Sequence, residues 1–241
     1  MKTMILGTAI LLVSVACSSE NQTEAEKALE QELRETVENS IKKAEEFEGK
    51  LDELLTLEMA SDVSGLAPSE AKKDHTNISS FESVAYEWTS KRMRQVDIGS
   101  TAVDVPANNS IELSWVKNTT LEQFKKDYHN PTPEELKQAQ QAIAAKTNDM
   151  KAKGQVSTDQ ANQAQSEANQ SISQFSVREV PNLGDYAVFV NSGIFGVQTS
   201  ELKVFYKGLS FTISADLSNE QAYNDKKCIE AARKIISEKL Q

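Results

Sequence analysis

Four stretches of this chain alternate apolar and polar residues with a period of two, and that pattern limits its fold more than any other feature. In "ESVAYEWTSKR", Val84, Tyr86 and Trp88 fall on one side, with Ala85, Glu87 and Thr89 on the other. In "IELSWVK" the apolar set is Ile111, Leu113 and Trp115. In "ELKVFYKGLSFTISA", Leu202, Val204 and Tyr206 are followed by Leu209, Phe211 and Ile213 across Lys207-Gly208. A fifth stretch, "LGDYAVFVN", reads as a strand just before them. Period two marks a strand with one face on a core, and Lys-Gly between two such strands marks a tight hairpin turn. The expected fold is α+β, an antiparallel sheet of about five strands flanked by helices.

The helices frame that sheet. Leu29, Leu33, Val37, Ile41, Ala44, Phe47, Leu51 and Leu54 step by three or four residues, which predicts one long acidic amphipathic helix over 24–55. It either stands as a stalk or docks its stripe on the domain, and Phe and Val in the stripe favour docking over a strict coiled coil. Thr56 is placed to cap a short helix that Gly65 closes. Thr119 and Glu122 have capping-box spacing, as do Thr132 and Glu135, the latter with Pro133 at the first helical position. Gly154 and Ser157 divide an Ala/Gln-rich helical hairpin at about 132–174, with a thin stripe of Leu136, Ile143, Met150, Ala161, Ala164, Ala168 and Ile172. So little bulk suits a peripheral insertion in a domain spanning 56–241. A last helix follows Asn224, and its face of Ile229, Ala232, Ile236 and Leu240 borders Cys228.

The first residues concern location. Lys2 precedes an apolar run from Met4 to Val15, too short for a bilayer span of roughly 20 residues but suited to a signal peptide over 1–16. Ser14-Val15-Ala16-Cys17 resembles a bacterial lipobox, with Ser14 where leucine is usual. The resemblance implies cleavage before Cys17 and a diacylglyceryl thioether on its sulfur, with 17–23 as a polar tether. Ser18 is not the aspartate linked to inner-membrane retention, so an outer-membrane location, on its periplasmic or surface face, is implied. Ser14-Val15-Ala16 also satisfies the small-x-small rule of ordinary cleavage, and a freely secreted protein is the alternative.

Charge and cysteine content exclude some classes. The net charge is −10, and losing Lys2 takes it to −11; twelve acids against five bases lie between Glu20 and Glu53. Such a chain has no electrostatic footprint for nucleic acid and is repelled by anionic phospholipid, so a lipid on Cys17 is the expected membrane attachment. The two cysteines, Cys17 and Cys228, form no disulfide framework. Cys228 is expected to be a buried small hydrophobe.

No P-loop, dinucleotide-binding glycine pattern, nucleophile elbow or HExxH is present. His129 lies near Asp127 in "KKDYHNP" and is expected to serve a helix end rather than a metal or acid–base site. His75, in "KKDHTN", reads as a solvent-exposed loop residue, and Asp185 as a turn residue. Lys91, Arg92 and Arg94 read as the solvated end of a strand, with an anion or partner patch as the other option. Trp88 and Trp115 are expected in the core; turned outward, they would instead mark a binding groove. No catalytic residue, metal ligand or cofactor is expected, and the ligand-binding residues stay unassigned.

The phrase Val180-Pro181-Asn182-Leu183-Gly184-Asp185-Tyr186-Ala187 resembles the "V-x-G-L-G-D-x-A" entry into an antiparallel sheet seen in small α+β lipoproteins of unknown function and in the PsbP-like fold. The resemblance covers about 56–130 and 175–241 and implies a fold, with no catalytic residues to carry over. The expected role is a lipid-anchored envelope protein that binds another envelope protein or a small ligand without catalysis. An envelope enzyme or enzyme accessory is the alternative. The intact mass of protein extracted from membranes of its own cells is predicted to match residues 17–241 plus diacylglyceryl, with or without an N-acyl chain. Cys17→Ala should remove that addition and release the chain from the membrane; a bare mature mass in the soluble fraction would refute the lipobox assignment.

Overall fold

A computed structural model of the chain describes residues 43–78, 81–98, 101–194 and 197–241. The signal peptide, Cys17, the tether and residues 24–42 lie outside the described residues. Among those described, the chain forms seven strands: β1 (Lys72–Ile78), β2 (Phe81–Ile98), β3 (Thr101–Asn118), β4 (Ser176–Glu179), β5 (Tyr186–Ile194), β6 (Val197–Tyr206) and β7 (Leu209–Asp216). They make one open sheet in the order β1-β2-β3-β7-β6-β5-β4, with every neighbouring pair antiparallel. Two meanders, β1-β2-β3 and β4-β5-β6-β7, therefore meet at the β3–β7 ladder. The β6–β7 turn works as its residues require: Lys207 (φ 47°) and Gly208 (φ 85°) are both left-handed, the backbone of a two-residue primed turn.

The α+β class agrees with the sequence, whereas the strand count of about five is corrected to seven. The two unforeseen strands are the edges, β1 and β4. Edge strands carry charge and need no alternation, because charge there discourages pairing with other chains; "KKDHTNI" and "SVRE" are such sequences. His75 is thus a strand residue and not a loop residue. The stretch through Pro106, Asn108 and Asn109, whose residues read as turn formers in the sequence, is also strand, inside an 18-residue β3 paired with an 18-residue β2.

One face of the sheet carries the main core. Val84, Tyr86, Trp88, Ile111, Leu113, Phe189, Leu202, Val204, Leu209, Phe211 and Ile213 are buried there. Each large side chain taken fully from water contributes about 1.5–3 kcal/mol. Three helices close this face: α1 (Leu51–Leu54), α2 (Leu57–Ser64) and the last helix, Gln221–Lys239. The continuous helix expected over 24–55 is corrected at its C-terminal end. From Lys43 the chain makes a 3-10 turn at Ala44–Glu46, Gly49 turns left-handed (φ 72°), and only then does α1 begin. Glycine alone adopts that backbone without a steric penalty. Phe47, Leu51, Leu54 and Leu55 are buried in the core, so this end of the stripe docks. Thr56 caps α2 through the Met59 N–H, and Gly65 (φ 75°) ends it.

The other face is built in two halves. Over β4, β5 and β6 a small cluster of Phe124, Val188, Val190 and Phe205 is packed with Tyr128, Phe175, Val177 and Tyr186. Phe124 belongs to α3 (Leu121–Asp127), whose cap is Thr120 accepting from the Gln123 N–H, not the expected Thr119. Helices α4 (Pro133–Ala152) and α5 (Thr158–Gln174) follow, both opened by capping boxes, at Thr132/Glu135 and Ser157/Gln160. The helix α4 has no buried residue, which places it at the periphery. The final helix is α6, Gln221–Lys239; it starts ahead of the expected Asn224, which is buried and accepts the Leu217 and Ser218 N–H groups.

Gly184 shows how tightly the β4–β5 connection is set. Its φ is 61°, and a Cβ there would lie 2.6 Å from the Phe205 carbonyl oxygen. Next to it, the Asp185 N–H donates to that same oxygen at 2.9 Å, and the Asp185 carboxylate accepts the Lys207 N–H at 2.6 Å. Gly184→Ala is predicted to destabilise the fold by more than about 1 kcal/mol in urea unfolding. Gly154→Ala, also left-handed at φ 66° but with open space around it, should destabilise less; equal effects would mean that the Phe205 carbonyl moves aside without penalty.

Candidate functional site

The titratable residues singled out in the sequence do not converge. Cys228 is 1% exposed, and burial foremost, then the Asp225 carboxylate, pushes its thiol up to about 12; it is an inert part of the core. His129 has its Nδ1 on the Lys126 carbonyl at 2.8 Å and its Nε2 on the Glu135 carboxylate at 3.1 Å. Both ring nitrogens face acceptors, so the imidazolium is favoured and the histidine titrates above its ordinary value, the Glu135 hydrogen bond being the largest cause. Glu135 is lowered to about 2, first by the Thr132 backbone N–H, then by the Thr132 hydroxyl and by His129. Asp127 accepts from the Gln123 amide at 2.6 Å and faces Lys117 at 3.8 Å. Asp185 serves its turn, and His75 bonds Glu82 at 3.0 Å. Among the described residues no three His, Cys, Asp or Glu side chains are placed to hold a metal ion.

The basic cluster has a third role, neither solvated strand end nor anion patch. The Arg92 guanidinium donates to Asn109 Oδ1, the Asn108 carbonyl, the Asp216 carbonyl and Asn219 Oδ1. It also lies 2.7 Å from the Asp216 carboxylate, which Arg94 meets at 2.9 Å. Ser90 donates to the Ala107 carbonyl and accepts the Arg92 N–H. These bonds fix the irregular register between Trp88 and Arg92 and tie β2 and β3 to the β7–α6 connection. Lys91, the third member of the cluster, is exposed to solvent.

The two tryptophans part company. Trp88 is buried, and its indole N–H donates to the Ala67 carbonyl at 2.9 Å. Trp115, expected beside Ile111 and Leu113, is instead 47% exposed. Between Ser114 and Lys117 the β3–β7 register slips, so Trp115 and Val116 together oppose Phe211. Trp115 takes φ 54°, the left-handed bulge position that glycine usually holds. Val116 packs on the core in its stead, and the indole rests edge-on against Phe81 at 5.0 Å. A trace of this was readable: strict alternation from Ile111 would have sent Lys117 inward with Trp115.

Phe81 fixes which side of the sheet this is. It alternates with Val84, Tyr86 and Trp88 and so lies on the face away from α6, as does its cross-strand partner Ile78, 61% exposed. From this apolar end a polar floor runs across β1, β2, β3, β7 and β6. In register, one row is Thr76, Ser83, Ser114, Thr212 and Lys203; the next is Asp74, Ala85, Glu112 and Ser214. Lys203 is buried, bonded to Glu201 at 2.6 Å and Thr212 at 3.2 Å, with the Tyr128 ring 5.7 Å away. Glu112 is half-buried, without a hydrogen bond or ion pair to its carboxylate among the described residues. Burial raises its pKa most, followed by Glu201, Asp74 and Glu87, with only Lys203 opposing.

Comparison with known protein families, with curated proteins and with solved structures finds no match to this chain. Among the described residues no helix is long and apolar enough to cross a membrane. The site rests on its own geometry: a sheet face whose central polar row, Ser83, Ser114, Thr212 and Lys203, is buried, with an outward indole at one end and the half-buried Glu112 carboxylate beside that row. A glutamate raised in the folded state favours folding while it holds its proton. That contribution is complete below the ordinary 4.5 and is lost as pH rises through the folded value. Glu112→Gln is therefore predicted to raise the urea midpoint at pH 7 and to leave it unchanged at pH 3.5; no gain at pH 7 would mean that water solvates the carboxylate fully.

Proposed function

We propose that the protein is a lipid-anchored envelope protein that acts by binding, and that its working surface is the exposed apolar end of the sheet around Trp115 and Ile78. The observation that carries this reading is Trp115 itself. Left-handed backbone costs a residue other than glycine on the order of 1 kcal/mol or more, and an indole left 47% in water recovers less through burial than a core tryptophan such as Trp88 would. The bulge sends Val116 to the core and Trp115 to solvent, next to Phe81 and the exposed Ile78. Strain of this kind, with apolar side chains gathered on one surface, is what a contact site requires. The anchor in this reading is the lipid on Cys17, which holds the domain near a membrane while the sheet face meets its partner. No nucleic acid partner is proposed, given the negative charge.

An enzyme reading draws on Glu112 alone. It lacks the partnered acid and base, held against each other at different protonation states, that general acid–base work uses.

A photo-crosslinking amino acid placed at position 115 in the protein's own cells tests the surface. A discrete adduct with one envelope component is expected from position 115, and none from the exposed Lys226 on α6. Equal labelling from both positions, or none from 115, would refute the assignment.

A further inference from the structure

Apart from Tyr223 on α6, the exposed large apolar side chains among the described residues gather at the two ends of the sheet. Met93 and Val103 are at one end, where β2 and β3 pair with each other alone. Ile78, Trp115 and Leu121 are at the other. There Ile78 stands opposite Phe81 across β1 and β2, and Phe81 meets the Trp115 ring. Leu121 opens α3 three residues beyond the end of β3.

This second end is also where the chain leading from Cys17 joins the domain. The described residues begin at Lys43. The next residue, Ala44, donates its N–H to Asn118 Oδ1 at 2.9 Å, and the Asn118 amide nitrogen donates to Glu45 at 2.8 Å. Asn118 is the last residue of β3, three after Trp115. Residues 17–42 therefore enter beside Trp115, and a lipid on Cys17 tethers the domain by the end that carries the apolar row.

A tether changes what a few exposed side chains can hold. Contact between this end and the bilayer becomes intramolecular, at an effective concentration set by the linker, so it needs far less area than a free protein would. A bilayer also takes up projecting apolar side chains without the shaped, packed counterpart that a protein partner must supply. Indole suits the headgroup layer, its ring being apolar and its N–H able to stay wet. We propose, resting on the Cys17 anchor and the binding role read above, that the occupant of this end is the membrane surface itself. Ile78, Trp115 and Leu121 seat in the headgroup layer and fix the orientation of the domain. The lipid is neutral, because the net negative charge of the chain opposes anionic headgroups.

The test takes the chain purified from the membranes of its own cells, mixes it into phosphatidylcholine vesicles and collects these by flotation. Trp88 is buried, so acrylamide quenching reports on Trp115. Quenching should fall at least threefold in the floated chain relative to the Cys17→Ser chain in buffer. Phosphatidylcholine brominated in its acyl chains should quench the floated chain but not its Trp115→Phe variant. Ile78→Asp combined with Leu121→Asp, both at exposed positions, should restore acrylamide access while the chain still floats. Access unchanged by that pair would overturn the proposal. Trp115 equally open in the floated and Cys17→Ser chains would overturn it too, and leave this end free for a protein partner. A chain that does not float would refute the anchor, and the proposal with it.

Discussion

The β3–β7 ladder is the contact on which the rest of the structure depends. It joins two meanders that are separate in sequence, and the long helical connection between them must close before the ladder forms. In register, Leu113 stands between Val84 and Ile213, and Ile111 between Tyr86 and Ala215. The core is continuous because these rows cross the join. A slip of one residue would turn every inward side chain of one meander to the wrong face. Both meanders contribute to the surface that α1, α2 and α6 cover, so neither has a complete core alone.

The bulge at Trp115 and Val116 lies on that same ladder. It lets β3 satisfy two demands that a regular strand cannot meet at once. Val116 fills the core, and Lys117 reaches Asp127 of α3 on the opposite face. Trp115 is the residue left over. The proposed binding surface and the fold therefore share one irregularity, at a bulge that frees the residue at its apex from packing.

What could be read from the chain and what could not divides along physical lines. The inward rows Val84-Tyr86-Trp88 and Leu209-Phe211-Ile213 were legible because burial on one face imposes period two. The caps at Thr56 and Thr132 were legible because few side chains bond backbone N–H groups at that spacing. β1 and β4 were not, since edge strands are chosen for charge. Gly49 was passed over because the stripe from Leu29 to Leu54 continues through it, although its left-handed backbone separates the 3-10 turn at Ala44–Glu46 from α1. Of the candidate site, Trp115 was seen as one of two options, inward or outward. Glu112 was missed altogether: alternation puts it in an ordinary outward position, and only the register brings Asp74, Glu87 and Glu201 around it.

The far ends of β2 and β3 have a separate consequence. β1 pairs with β2 only through Glu87, and β7 reaches β3 only from Ser110 onward. Residues 92–98 and 101–107 thus form a two-stranded ribbon with both outer edges open, and such edges invite end-to-end strand exchange between molecules. This ribbon is guarded. Pro106 removes one donor from its edge, and Asn219 reaches across to occupy the Met93 carbonyl at 2.8 Å. Lys91, Arg94 and Asp104 line the strands with charge. Loss of the Asp216 carboxylate, which holds Arg92 and Arg94, would loosen this ribbon and leave its edges to pair with those of other molecules.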